Sequence, residues 1–292
     1  YSSAASDVYK RQILEKGAEG AGDTPSTNAS GIAENILAPL PMQGEAASGS
    51  ESTAGDSGTA QAVQLESFGP ARQTDGAYTV KAYDASVIRQ PACGQVDLSY
   101  FSDAAFLGDS LTQGLQIYDT GLPGAQFCAY KGVGPNAFVN GTSCKRVDGV
   151  TEIPLDALTA QQPKAVYVLL GSNVLGRDTD YTSFLTYYRL MLDMISQALP
   201  DAKIYVQSIT PVRPEVGTQA NHAGLNRDRL CHINNELAAI ALEKDCYFLN
   251  LWEVLADENG DLIESYAQPD GYHLRPAGYA AWVDYLRSHT AE

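Results

Sequence analysis

The sequence predicts an α/β fold, a three-layer α/β/α sandwich built on a doubly wound, mainly five-stranded parallel sheet. Three observations lead to that class. Short apolar runs alternate with stretches of helical period from about Val96 to the end of the chain. The runs are apolar at nearly every position rather than at every second one, which marks strands covered on both faces. No internal repeat breaks the alternation, so one core is expected, not an array.

The predicted strands, in order, are Ala104 to Leu107, Ala125 to Tyr130, Ala165 to Leu170, Lys203 to Ile209 and Cys246 to Leu251. Between the third and fourth, Phe184, Tyr188, Leu192, Ile195 and Leu199 recur at spacings of three and four residues and define one face of a helix. Leu230, Ile233, Leu237 and Ile240 do the same between the fourth and fifth. The last helix starts near Pro276, a residue suited to a first helical position, and presents Tyr279, Val283 and Leu286 to the core.

The N-terminal third has a different composition. Residues 1–12 read as a non-native leader, because Tyr1 to Gln12 resembles translated sequencing-adaptor read-through. Residues 13–76 are expected to form a disordered, low-complexity linker, dominated by Ala, Gly, Ser, Thr and Glu between Gly17 and Gln64. Residues 77–95 are an extension of unassigned role, in which Tyr78, Val80 and Ala82 share one side of a possible strand from Ala77 to Ile88. Residues 96–292 make one domain.

A formal net charge of −16 on 292 residues disfavours nucleic acid and anionic membrane surfaces as partners and is easier to reconcile with a neutral or cationic one. No run of about eighteen apolar residues encodes a membrane span. The five cysteines show neither zinc-site spacing nor a C-x-x-C motif, so no metal is expected. Cys128 and Cys144 flank a loop and could pair in an exported protein, or could be separate core thiols. The seventeen tyrosines read as ordinary packing and rim residues.

In a parallel sheet the loops at the carboxyl ends of the strands open on one edge, where ligands gather. Four segments fall there. Ser110 follows the first strand, Gly132-Val-Gly-Pro-Asn136 the second and Gly171-Ser-Asn173 the third, while Asp270-Gly-Tyr-His273 precedes the final helix. A nucleophile, oxyanion donors and an acid–imidazole pair therefore converge. The stretch from Gly132 to Ala137 also matches G-x-G-x-x-A, but Pro135 removes an N–H that a phosphate cradle needs. No cofactor is expected.

The four segments resemble the sequence blocks of the SGNH/GDSL hydrolases, in that family's order, across about Val96 to His289. Gly108-Asp-Ser-Leu111 resembles the first block, with Ser110 as nucleophile. Gly171-Ser-Asn173 resembles the third, whose Asn offers an amide to the oxyanion, and Asp270 to His273 the closing D-x-x-H block. Gly134 matches the second-block glycine, with Gly132 a close rival. The resemblance implies a flavodoxin-like sheet, a triad of Ser110, His273 and Asp270, and an oxyanion site formed by Ser110, Gly134 and Asn173. One position departs: the family often has Asp after the third-block Asn, and here it is Val174.

A hydroxyl attacks an ester only when a neighbouring base removes its proton, and imidazole suits that transfer near neutral pH. A small-molecule or carbohydrate ester is the expected substrate, and the expected activity is hydrolysis of acyl esters, short-chain ones first, through an acyl-enzyme on Ser110, with a carbohydrate ester leading. An acyltransferase with the same triad and a non-catalytic carbohydrate-binding module are the alternatives. Val212 to Arg227 is expected to set specificity. Asp109 is read as tying down the turn, and His222, His232 and His289 as surface or core residues. The resemblance and the linker suggest an extracellular or surface-tethered bacterial protein.

Overall fold

The computed structural model describes residues 72–74, 77–79, 94–118 and 120–291. The expected leader, most of the linker and the expected strand beyond Thr79 lie outside the described residues. Within them, Ala77–Thr79 pairs antiparallel with Arg72–Thr74.

Five parallel strands form the central sheet: β1 (Ala104–Gly108), β2 (Gln126–Ala129), β3 (Ala165–Leu169), β4 (Lys203–Gln207) and β5 (Tyr247–Leu249). Their spatial order is β2-β1-β3-β4-β5. Helices α1 (Ser110–Ile117), α2 (Pro135–Val139), α3 (Pro154–Ala160), α4 (Ser172–Leu175), α5 (Thr182–Ala198), α6 (Arg227–Glu243), α7 (Trp252–Leu255) and α8 (Pro276–Arg287) connect and cover the strands. This is the doubly wound sandwich that the alternation of runs predicts. Its chain order reverses between β1 and β3, the crevice where open α/β sheets place their ligands.

One face of the sheet carries Ala105, Leu107, Val166, Val168, Ile204, Val206 and Phe248 against α5 and α6, whose predicted stripes are buried throughout. The other carries an aromatic ladder, one ring per strand. Register pairs Phe127 with Phe106, Phe106 with Tyr167, Tyr167 with Tyr205 and Tyr205 with Tyr247. The rings stack with centroids 5.4, 4.9, 4.5 and 5.0 Å apart in that order. Flat rings at matched positions on parallel strands stack face over face, because the strand spacing of about 4.8 Å suits ring-to-ring contact. Trp282 of α8 belongs to the same core and donates its indole N–H to Gln207 Oε1 at 2.8 Å.

Four of the five strands are shorter than their apolar runs, while β1 runs one residue further, to Gly108. Beyond β4, Ile209 donates its N–H to Asn234 Oδ1 at 2.7 Å and accepts from Asn234 Nδ2 at 3.0 Å, so an amide on α6 replaces the next strand. At the start of β5, the Cys246 N–H closes the end of α6 on the Ala241 carbonyl at 2.8 Å instead of joining the ladder. Cys128 and Cys144 are both free and buried, so the pairing that was left open does not form. Burial pushes the Cys128 thiol up to about 12, with the nearby Glu152 carboxylate adding to it. Among the described residues no helix is long and apolar enough to cross a membrane.

The ladder makes a direct prediction. Tyr167 is fully buried between Phe106 and Tyr205. Tyr167→Ala should lower the free energy of urea unfolding by about 3–5 kcal/mol. A loss below about 1 kcal/mol would show that the stacked rings do not hold the sheet.

Candidate active site

Residue Ser110 is the first residue of α1, delivered directly from the end of β1. Asp109 between them caps the helix: its Oδ1 accepts the Leu111 N–H at 3.0 Å. The cap starts the helix at once, leaving the Ser110 side chain at the mouth of the crevice and its backbone N–H without a partner among the described residues.

On the opposite side, Asp270, Gly271, Tyr272 and His273 form a tight turn before α8. Asp270 Oδ1 accepts the N–H groups of Tyr272 at 3.2 Å and His273 at 3.0 Å, and Oδ2 meets His273 Nδ1 at 2.7 Å. A carboxylate oxygen only accepts, so Nδ1 carries the proton and Nε2 is left as the acceptor. Ser110 Oγ lies 2.9 Å from Nε2 and donates to it. One relay thus runs from hydroxyl to imidazole to carboxylate. Burial works to raise the Asp270 carboxyl, but the backbone and ring hydrogen bonds from His273, with that of Tyr272, hold it below its ordinary value. It is therefore ionised wherever an imidazole can act as base.

The turn requires glycine at 271. Its φ is +82°, and an added Cβ would lie 2.6 Å from Val216 Cγ2. Arg213 then locks the turn from outside, donating its backbone N–H to the Gly271 carbonyl at 2.8 Å and its guanidinium to the Leu262 carbonyl at 2.7 Å.

Of the two second-strand glycines, Gly134 has extended backbone and caps α2, which Pro135 opens. Val174 packs so close that a Cβ on Gly134 would sit 2.6 Å from its Cγ1. The valine that departs from the family pattern thus fills the space beside the glycine. Gly132 has a φ of +79° and nothing near its side-chain position. The Gly134 N–H has no partner among the described residues.

Asn173 is at the same edge, and its amide is already engaged. Nδ2 donates to Asp109 Oδ2 at 2.9 Å and to the Val133 carbonyl at 3.2 Å. Asp109 therefore does more than tie down its own turn, the role read from the sequence: it also joins the nucleophile loop to the loop after β3. Burial pushes its carboxyl up to about 6, against the pull of the Leu111 hydrogen bond and of nearby His273.

A cleft of about 120 Å³ opens from Ser110, lined by Leu111, Ser172, Asn173, Gly176, Asn221, His222, Leu225 and Tyr272. His222, read from the sequence as a surface or core residue, is part of this wall. Only the fold brings it there, on a loop whose sequence carries no motif of its own. That loop lies within the segment Val212 to Arg227 singled out for specificity. Arg229 pins it to the loop after β3, donating from Nη1 to the Leu175 and Gly224 carbonyls, both at 2.8 Å.

The sequence profile of the GDSL-like Lipase/Acylhydrolase family matches residues 106–281. The chain belongs to that family. No curated protein matches it. A solved structure from Streptococcus pneumonia, of a protein named for platelet activating factor, is 19% identical with a TM-score of 0.52, over 65% of this chain and 87% of that one. A GDSL-like lipase from Bacteroides thetaiotaomicron is 15% identical with a TM-score of 0.47, over 63% of this chain and 85% of that one. At 19% identity the likeness to the first of these concerns the fold alone. Membership makes this GDSL-family chain an ester hydrolase.

The buried carboxylate gives a test. A carboxyl held protonated to higher pH in the folded protein than in the unfolded one supports folding at low pH and loses that support as pH rises from about 4 to about 6. For a shift from 3.8 to about 6 the loss is about 3 kcal/mol. Unfolding free energies of wild type and Asp109→Asn should therefore move apart by that amount, in the variant's favour, between pH 4 and pH 7. A constant difference across that range would show that Asp109 carries no such burden.

Proposed function

We propose that this GDSL-family hydrolase is a serine esterase that removes short acyl groups, acetyl first, from a neutral alcohol such as a carbohydrate hydroxyl. The observation that carries the reading is the continuous relay from Ser110 Oγ through His273 to Asp270, with contacts of 2.9 and 2.7 Å. It is assembled in the crevice where the strand order reverses.

In this reading His273 Nε2 takes the Ser110 proton as Oγ attacks the ester carbonyl. The imidazolium that forms is held by ionised Asp270. Negative charge grows on the carbonyl oxygen, and the Ser110 and Gly134 N–H groups, which have no partner among the described residues, are the donors free to receive it. Asn173 joins by releasing its longer bond, to Val133 at 3.2 Å, while Asp109 keeps the amide in place. An oxyanion can displace a neutral carbonyl, since a hydrogen bond to a charged acceptor is about twice as strong. Collapse of the intermediate passes the proton from Nε2 to the leaving alkoxide and leaves the acyl group on Ser110. Water, activated by the same imidazole, then releases the acid.

Short acyl groups are favoured because the cleft at Ser110, which must take part of the alcohol as well as the acyl group, is about 120 Å³, well below the roughly 300–1,000 Å³ typical of sites for drug-sized ligands. Among the described residues its lining carries amide, hydroxyl and imidazole groups and no carboxylate, lysine or arginine, which suits a neutral substrate.

On activated 4-nitrophenyl esters, kcat/KM should fall at least about tenfold from acetyl to octanoyl. Ser110→Ala and His273→Ala should each lower kcat on the acetyl ester by a factor of about 10⁴ or more with folding intact. Circular dichroism and a colorimetric rate assay measure both. Turnover equal to wild type in both variants would remove the triad, and an octanoyl ester cleaved as well as acetyl would remove the short-acyl preference.

A further inference from the structure

We infer that Tyr272 and His222 form the leaving-alcohol subsite, built for the ring of a neutral, hydroxylated alcohol, that is, a monosaccharide unit. The inference rests on the esterase reading above.

Three rings are in successive contact beside the nucleophile. Tyr272 packs on the catalytic imidazole of His273, centroids 4.5 Å apart, and His222 packs on Tyr272 at 5.3 Å. Tyr272 and His222 also line the cleft that begins at Ser110. The direction of the chemistry assigns a role to this row. The proton leaves from His273 Nε2, so the departing alcohol oxygen must come within hydrogen-bond reach of that nitrogen, at the edge of the ring, and the rest of the alcohol extends onto whatever lines the cleft beside His273. What adjoins it here is the Tyr272 ring and then the His222 ring.

Each member offers a different contact. Tyr272 is partly exposed, and the rings of His273 and His222 are tilted 40° and 45° against it rather than laid flat over it, so it still offers aromatic surface for the apolar C–H side of a sugar ring. His222 supplies a directed acceptor. Its Nδ1 lies 3.2 Å from Gln219 Oε1, an amide oxygen that can only accept, so Nδ1 bears the proton. Nε2 is then left with its lone pair on a residue that lines the cleft, and no partner for it exists among the described residues. A substrate hydroxyl can donate to it. Asn221, beside it in the same wall, can both donate and accept. A plain alkyl alcohol would leave these groups without partners, and a charged one would meet no counter-ion in the wall.

The test compares three acetate esters that differ only in the alcohol: ethyl acetate, phenyl acetate and methyl 6-O-acetyl-glucopyranoside. Wild type should show kcat/KM about tenfold or more higher for the acetylated glucoside than for ethyl acetate, with most of the difference in KM. Tyr272→Leu and His222→Ala should each cut that ratio by about tenfold, the cost of one well-placed contact. Tyr272→Phe, which keeps the ring, should retain the ratio, and His222→Gln, which keeps an acceptor, should retain part of it. A wild-type ratio near one overturns the inference while leaving the esterase standing. So does a ratio untouched by both ring-removing variants, or dependence on these residues for phenyl acetate alone. If wild type cleaves none of the three esters, the esterase reading falls and this inference falls with it.

Discussion

The pairing of β1 between β2 and β3 is the constraint on which the rest of the molecule depends. Parallel register sets Gly108 opposite Ala129 on one side and Leu169 on the other, so three strands end at one level. The loops that follow, with Ser110, Gly134 and Asn173, then emerge side by side without any insertion to bring them together. The order of strands reverses at this place, so the helices of neighbouring connections diverge to opposite faces and leave the crevice open. A core of apolar helix contacts on one face and stacked rings on the other holds that register.

Two carboxylates divide the electrostatic work. Asp270 is half open to solvent, receives three hydrogen bonds from its own turn and stays ionised, which suits a group that must face an imidazolium. Asp109 is buried, receives two, and has its carboxyl pushed up toward neutrality. Both oxygens of Asp109 are acceptors for donors from different loops, a demand that the amide of Asn cannot meet with both its atoms. Its burial therefore costs stability and in exchange fixes the spacing between nucleophile and oxyanion amide. The same physical rule, desolvation set against hydrogen bonds, thus yields opposite outcomes 161 positions apart in one site.

Much of this was legible in the residues. The apolar runs marked all five strands, and the stripes of α5, α6 and α8 were read correctly because burial of one helical face leaves a period that survives in sequence. The short elements were not legible: α3, α4 and α7 span four to seven residues, too few for a period to show. Strand ends were also missed, since the Asn234 amide that ends β4 comes from a helix 27 positions beyond Gln207. His222 was passed over for a related reason: its company in the cleft, Tyr272 and Asn173, is supplied by other loops, and nothing adjacent in sequence announces it.

By itself, the order of residues determined the layer architecture and the identity of the groups able to react, because periodicity and side-chain chemistry are local properties. Only the tertiary structure decided the distances among those groups, the resting engagement of Asn173 by Asp109 and Val133, the choice of Gly134 as the crowded glycine beside Val174, and the row of rings beyond His273. Each of these joins segments far apart along the chain, and the contact energies that place them exist only once the sheet has brought the loops to one edge.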